Sequence, residues 1–460
     1  MIARGGQAEL MEIVALARSA HAEQDMESAV AAIEAAAKLQ PDNPAIAFMH
    51  AQFAYEGWYE AAALFERAAQ LNPGNADVVR NFALALGSEG EGARAERLLE
   101  GLLARLPNWI DGHNTLATLR VTSGDSDPWR SYAEAARREP NSFALYQGWF
   151  QRLVTAGDWQ GARDMLAVAE KYVPGQLALL ELYLACESGE VSGDPKIFAP
   201  FAHLNDPGVK LLQVRHALRH GDPVRALQLV EAELGKPWGG QFWPYCSLCW
   251  RLLGDDKAQW LEGAPAFATH VDLDISNEEI GKLASFLRDL HRMTAPYPEQ
   301  SVRGGTQTDR NLLLHHDPAI QRLRGLIVEA VETWRDALPA EGAEHPLLSR
   351  KPEEIRFSGS WSVRLASGGH HSAHVHPQGW ASSALYITVP ENPGEGHAGE
   401  LALGMAPPEL GLDLEPTSYI VPKPARLALF PSTTWHGTVP FKGAERLTVA
   451  FDVAPNGWGK

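Results

Sequence analysis

Prolines recur at positions 41, 73, 107, 140 and 174, in LQPDNPA, LNPGNAD, RLPNWID, REPNSFA and YVPGQLA. The gaps between them are 32, 34, 33 and 34 residues. No other feature restricts the fold so tightly. A unit of this length cannot bury its own apolar face, so it has to stack on copies of itself. Other positions keep the same beat. Five residues before the proline stand Ala36, Ala68, Ala135 and Ala169, with Leu102 as the exception. Twelve before stand Ala29, Ala61, Ala95 and Ala162, with Pro128 as the exception. Eight before stand Ile33, Phe65, Leu99, Tyr132 and Leu166. Small side chains let the two helices of a hairpin approach closely, and the bulky one fills the gap to the next hairpin. Proline cannot continue a helix interior, so each one ends a hairpin and redirects the chain.

This pattern resembles the tetratricopeptide repeat, most clearly over residues 27–180. Pro207 keeps the rhythm but the small residues fail there. The expected organisation is an N-terminal helix or cap over 1–26, tetratricopeptide-like repeats over 27–205, degenerate helical repeats or a linker over 206–268, and a different domain over 269–460. Such an array leaves a concave face. That face either binds a peptide or partner protein, or serves as a spacer or as the surface of a homodimer. Cys246 and Cys249 form a lone CxxC inside WPYCSLCWRLL, where buried helical thiols are the expectation.

Bulk numbers exclude several classes. With 460 residues the chain exceeds one ordinary core. No apolar run reaches about 18 residues, so no membrane span is expected. The first residues interleave acids with apolar groups and read as a helix, not a signal peptide. Three cysteines make no disulfide framework, and a reducing cytoplasm is the expected location. The net charge, 40 − 57 = −17, repels phosphate backbones, so nucleic acid is not an expected partner.

Past about residue 265 the rhythm stops. Ser276 and Glu279 form a capping box before the stripe Ile280, Leu283, Leu287 and Leu290. Asp317 and Pro318 open a second helix with Ile320, Leu323, Ile327, Val331 and Trp334 on one face. From residue 350 onward short apolar or alternating runs are punctuated by Gly and Pro, which predicts a β sandwich or barrel. The polar stretch QSVRGGTQT, 300 to 308, reads as a loop.

GGHHSAHVHPQGW, 368 to 380, holds His370, His371, His374 and His376. On an extended chain residues i and i+2 share a side, so His374 and His376 can converge on one ion. His436 follows in LALFPSTTWHGTVPF, and Arg446 with Thr448 in ERLTVAFDV. An arginine with a hydroxyl two residues along can clamp a carboxylate. Arg446 could instead pair with Glu445 or Asp452. His315 and His316, just before a helix, are expected to make solvent or capping contacts.

Taken in this order, these motifs resemble the iron(II)/2-oxoglutarate-dependent oxygenases, and more narrowly the bacterial oxygenases that follow a tetratricopeptide array. The resemblance covers about 270–460. It implies a multidomain α + β chain, an all-α solenoid followed by a double-stranded β-helix (jelly-roll) with flanking helices. It implies Fe(II) held by His374, His376 and His436, and 2-oxoglutarate held by Arg446 and Thr448, with Tyr386 in reach. Molecular oxygen would be the second substrate. Arg303, Gln307, His371 and Trp380 are the candidate substrate contacts, with packing the alternative for Trp380 and Tyr386. One departure stands out: the family's usual first pair is His-x-Asp or His-x-Glu, and here His376 takes the carboxylate's place. The implied activity is a dioxygenase hydroxylating a peptide or protein presented by the array. Alternatives are a small-molecule hydroxylase, a three-histidine cupin-like enzyme, or a non-catalytic scaffold with a metal-stabilised β domain.

Overall fold

The computed structural model describes residues 2–297, 299–340, 342 and 344–458. Helix Ile2–Ala22 is followed by Met26–Leu39, Pro44–Glu56, Ala62–Leu71, Ala76–Ser88, Gly92–Leu103, Ile110–Ser123, Arg130–Arg138, Phe143–Thr155 and Trp159–Ala169. Each proline of the series lies just past a helix end. After Pro41 and Pro73 the next helix starts on a polar cap: Asn43 accepts from the amides of Ala45 and Ile46, and Asn75 from those of Asp77 and Val78. The positions with the repeat's beat form its core. Ala29, Ala36, Ala61, Ala68, Ala95, Ala162 and Ala169 are fully buried, and so are Ile33, Phe65, Leu99 and Tyr132. The chain up to Leu177 is thus a tetratricopeptide solenoid.

That unit also takes in two later stretches, 293–297 and 309–324. The Arg310 guanidinium lies 4.0 Å over the Trp58 ring and 5.0 Å over Tyr55. The Trp58 indole donates to the Asn311 carbonyl at 2.9 Å. His316 stacks on Tyr59 with centroids 4.1 Å apart. His315 makes the capping contact, its Nδ1 accepting from the Asp317 amide at 3.0 Å, but it is buried, not in solvent.

The second unit holds 178–292, 299–308 and 325–458. Helices Ala178–Glu187, Pro207–Arg219, Pro223–Glu231, Trp243–Leu253 and Lys257–Glu262 belong to it. Their apolar core, with Val214, Ala226, Val230, Phe242, Leu248 and Trp250, also contains Leu410 and Trp435 of the β region. The Trp435 indole donates to the Pro244 carbonyl at 3.0 Å. Cys246 and Cys249 lie in this core, fully buried. Burial pushes both thiols up, Cys249 to about 12, so neither forms a reactive thiolate.

Among the described residues, nine strands make the jelly-roll: β1 (Thr269–Asp272), β2 (Val302–Gln307), β3 (Phe357–His371), β4 (Ala381–Thr388), β5 (Leu401–Leu403), β6 (Ser418–Ile420), β7 (Arg426–Pro431), β8 (His436–Thr438) and β9 (Glu445–Val453). They form a six-stranded sheet, β1-β7-β4-β9-β3-β2, and a three-stranded sheet, β6-β5-β8. Neighbours are antiparallel throughout. Between the sheets pack Ala384, Tyr386, Leu401, Leu403, Ile420, Ala428 and Phe430.

QSVRGGTQT is not a loop: it contains β2, paired to β3. The glycines are what allow it. The register shifts between Arg303 and Gly305, with Gly304 at φ 68° in the left-handed region. Opposite, Gly369 passes so close that a Cβ there would sit 2.7 Å from the Gly304 carbonyl oxygen. Two Gly-Gly pairs therefore meet across a bulge.

Candidate active site

β9 supplies one wall by strict alternation. Arg446, Thr448, Ala450 and Asp452 line the cavity between the sheets, while Leu447, Val449, Phe451 and Val453 are buried on the opposite side. β4 runs alongside, placing Tyr386 opposite Thr448 and Ser382 opposite Asp452. After β3 the chain stays extended but forms no regular strand. It is pinned by an isolated bridge in which the His374 and His436 amides each donate to the other's carbonyl at 3.0 Å. That bridge aligns His374 with the first residue of β8. His376 then falls on the same side, before a turn begins at Pro377.

The three imidazoles converge. Their centroids lie 4.1 Å (His374–His436), 4.9 Å (His374–His376) and 5.3 Å (His376–His436) apart. One ring nitrogen of each lies within 4.8 Å of the others. Every Nδ1 is committed to an oxygen that can only accept. His374 donates to Ser372 O at 2.8 Å, His436 to Thr434 O at 2.9 Å, and His376 to Asp452 Oδ2 at 2.8 Å. The proton is thereby fixed on Nδ1, and the Nε2 lone pair is left for a cation. Facing Nε2 of His374 at 3.2 Å is the hydroxyl of Ser301, which also meets Nδ1 of His371 at 2.9 Å.

Burial, reinforced by the neighbouring rings, drives the His374 imidazolium down to about 3 and that of His436 well below its ordinary range. Both are neutral near pH 7, as ligation requires. His371 is pushed down likewise, by burial first and then by His374 and Arg446. His376 differs. Burial lowers it too, but the charge of Asp452 and its hydrogen bond outweigh that, and the net shift is upward.

Arg446 is 2% exposed and makes no ion pair with either acid that could have taken it. Glu445 is held by Arg288 and Arg364, and Asp452 by His376. Its guanidinium lies 4.9 Å over the Tyr386 ring. Nε of Arg446 and the Tyr386 hydroxyl are both buried without a hydrogen-bond partner among the described residues. The guanidinium and the hydroxyl interact with each other, but no carboxylate among the described residues takes the buried charge, which marks a place where an anion fits.

His374, His376, His436, His371, Arg446 and Thr448 thus come together around one cavity. Arg303, Gln307 and Trp380 are not among the residues lining it. The Arg303 guanidinium turns back to the carbonyls of Gln300 and Val302, and Gln307 ends β2 opposite Val363. Trp380 is buried against Trp334 and donates to Leu347 O at 2.8 Å. Among the cavity residues the sequence did not mark as a site are Trp361, which stacks on His376, Ser382, and Asp452, which two more steps of alternation from Thr448 would have reached.

Residues 359–452 match the family described as "Putative 2OG-Fe(II) oxygenase", and residues 59–119 match the tetratricopeptide repeat. No curated protein matches the chain. Among solved structures it is similar to a Pseudomonas putida prolyl-4-hydroxylase, at 18% identity over 44% of this chain and 95% of that one, with TM-score 0.27. A Burkholderia pseudomallei oxidoreductase of the 2OG-Fe(II) oxygenase family shares 11% identity over 44% of this chain and 90% of that one, with TM-score 0.28. A Thermobaculum terrenum O-GlcNAc transferase mutant shares 23% identity over 29% of this chain, with TM-score 0.25, and the chain spans only 26% of its length. The chain joins tetratricopeptide repeats to a 2OG-Fe(II) oxygenase domain, whose match runs from β3 to β9.

Proposed function

We propose that the chain is a 2-oxoglutarate-dependent hydroxylase in which His374, His376 and His436 hold iron(II) and Arg446 holds the far carboxylate of 2-oxoglutarate. The observation that carries this reading is the buried Arg446, which pairs with no carboxylate among the described residues. A three-histidine site without a dicarboxylate cosubstrate would have no use for that cation. Thr448, two residues along on the same face, offers a hydroxyl to the same carboxylate, and Tyr386 offers another. When bound, iron(II) with 2-oxoglutarate and oxygen supplies the oxidation of an unreactive C–H bond. The chain's part is placement and dryness. Phe430, Leu401 and Ala384 form the apolar wall, and His371, held by Ser301, is the polar group beside His374.

The favoured substrate is a peptide or protein side chain gathered by the repeats. Joining a peptide-binding array to an oxidation site raises the local concentration of anything the array binds. A small molecule is the second reading. The test of the site is an anaerobic titration of the metal-free full chain with iron(II) and then 2-oxoglutarate. A weak visible charge-transfer band is expected in wild type, with 2-oxoglutarate affinity falling about 100-fold or more in Arg446→Ala, as for loss of a charged hydrogen-bonded partner. Iron binding with no band in wild type would sink the cosubstrate assignment.

A further inference from the structure

We propose that Asp452 is a positioning residue: it puts a carboxylate behind His376, so that an Asp–His pair fills the place of the carboxylate ligand that the first motif lacks. This rests on the metal site proposed above. The ground is an asymmetry among the three rings. His374 and His436 each give Nδ1 to the neutral carbonyl of the residue two before them, Ser372 and Thr434. His376 alone gives Nδ1 to an acid, at 2.8 Å.

The acid is itself held in place. Its Oδ1 accepts from the Ser382 hydroxyl at 2.6 Å, and that hydroxyl lies 2.9 Å from the hydroxyl of Ser432. The Ser432 carbonyl in turn accepts from the His376 amide at 2.9 Å. The ring of contacts closes on itself: His376, Asp452, Ser382, Ser432 and back to His376. Trp361 lies nearly parallel to the imidazole, at 16° and 5.8 Å. Asp452 is 8% exposed, and no Lys or Arg pairs with it among the described residues. Its charge is therefore spent on the site.

Charge balance gives the device a purpose. A divalent ion beside Arg446 brings three positive charges into a buried cavity. 2-Oxoglutarate carries two negative ones. Asp452 supplies the third, and the filled site becomes neutral. Three imidazoles held only by carbonyls would leave one positive charge uncompensated in a low-dielectric interior, which is expensive. A carboxylate behind a metal-bound imidazole also fixes its orientation and raises its basicity, typically by 10- to 100-fold in affinity.

The test uses the full chain and cobalt(II), whose visible bands report ligand set and geometry. Asp452→Asn keeps the size and an acceptor oxygen but removes the charge. Cobalt(II) affinity is expected to fall about 10- to 100-fold with shifted bands, while the metal-free melting temperature stays close to wild type. In a His376→Asp background the carboxylate sits at the metal directly, so adding Asp452→Asn there should lose nothing. Ser382→Ala, which only loosens the acid, should lose a few-fold and serves if Asp452→Asn does not fold. Wild-type affinity and bands in Asp452→Asn would overturn the proposal, as would an equal loss in the His376→Asp background. If wild type itself bound neither cobalt(II) nor iron(II), the metal site would fall, and not merely the role of Asp452.

Discussion

Within the cavity, the residues divide by what they have given up to be there. Arg446 is buried, its Nε without a hydrogen-bond partner among the described residues, whereas Thr448 is a small hydroxyl beside it on the same face of β9. Their contributions to a bound dicarboxylate should differ accordingly. A neutral hydrogen bond contributes about 0.5–1.5 kcal/mol net, so Thr448→Val should weaken 2-oxoglutarate about 2- to 12-fold. Valine keeps the shape, so the metal-free fold should be unchanged. Isothermal titration of the iron(II) form in the absence of oxygen measures this directly. An affinity loss as large as that of Arg446→Ala would mean that Thr448 holds the metal-side geometry and not the far carboxylate. Ser301 gives a second residue-scale contrast. Its hydroxyl faces Nε2 of His374, where an ion would need room. Ser301→Ala is therefore expected to leave metal affinity intact or raise it slightly, which a cobalt(II) titration reads.

Elements are joined here by polar ties that ion content alone does not reveal. His291 caps the helix Asn277–Leu290 and reaches both neighbouring strands, Nδ1 meeting Thr306 Oγ1 of β2 at 2.8 Å and Nε2 meeting Ser362 Oγ of β3 at 3.0 Å. Burial, and after it Arg364, lowers its imidazolium to about 4, with Glu445 opposing. The unfolded chain therefore takes up this proton first, near pH 6.5. The stability from neutral His291 is whole above that pH and is lost as the pH falls toward 4. One such group sets a slope of at most about 1.4 kcal/mol per pH unit. His371, His374 and His436 add to the wild-type slope in the same direction, so His291→Gln isolates its share. Its plot of denaturation midpoint against pH should be flatter between 6.5 and 4, and an unchanged slope would refute the assignment. At this scale the sequence was legible where a period was long or strict. The proline beat located the hairpins, and alternation placed Arg446 with Thr448. β2 was missed because Gly-Gly signals a turn more often than a bulge, and its strand character depends on the second glycine pair opposite, in β3. Sequence alone offers Asp452 only as a salt-bridge acid, since its partner His376 belongs to a distant segment. Trp380 looked like a site residue by nearness to the histidines, but the chain turns after His376 and its indole packs on Trp334 instead.

At the scale of the whole molecule, sequence order and compactness divide the chain differently. Residues up to Leu177 cluster with 293–297 and 309–324, and the rest cluster separately, so the backbone passes from one unit to the other repeatedly. No single cut separates them. The change of rhythm near residue 265 marks where one kind of sequence ends, but compactness divides elsewhere, because helices 178–262 have lost the repeat's small residues and use their apolar faces on the β region instead. Trp435 shows the consequence. Its indole sits in the core with Phe242, Tyr245 and Trp250, bonds to Pro244, and immediately precedes His436. A chain beginning at residue 269 would expose that indole and leave 309–324 without Tyr55, Trp58 and Tyr59. Exposing one large buried apolar side chain costs about 1.5–3 kcal/mol, a substantial part of a domain's roughly 5–15 kcal/mol stability. Residues 269–460 alone are therefore expected to show weak near-ultraviolet dichroism and no ordered cobalt(II) spectrum, although they hold every proposed ligand. The full chain should show both. A well-folded, metal-binding 269–460 would mean that the helices from 178 onward merely cover the β domain. Whether the repeats deliver a peptide must then be asked of the full chain, with substitutions confined to the solenoid's concave face, because truncation would damage the site along with the delivery.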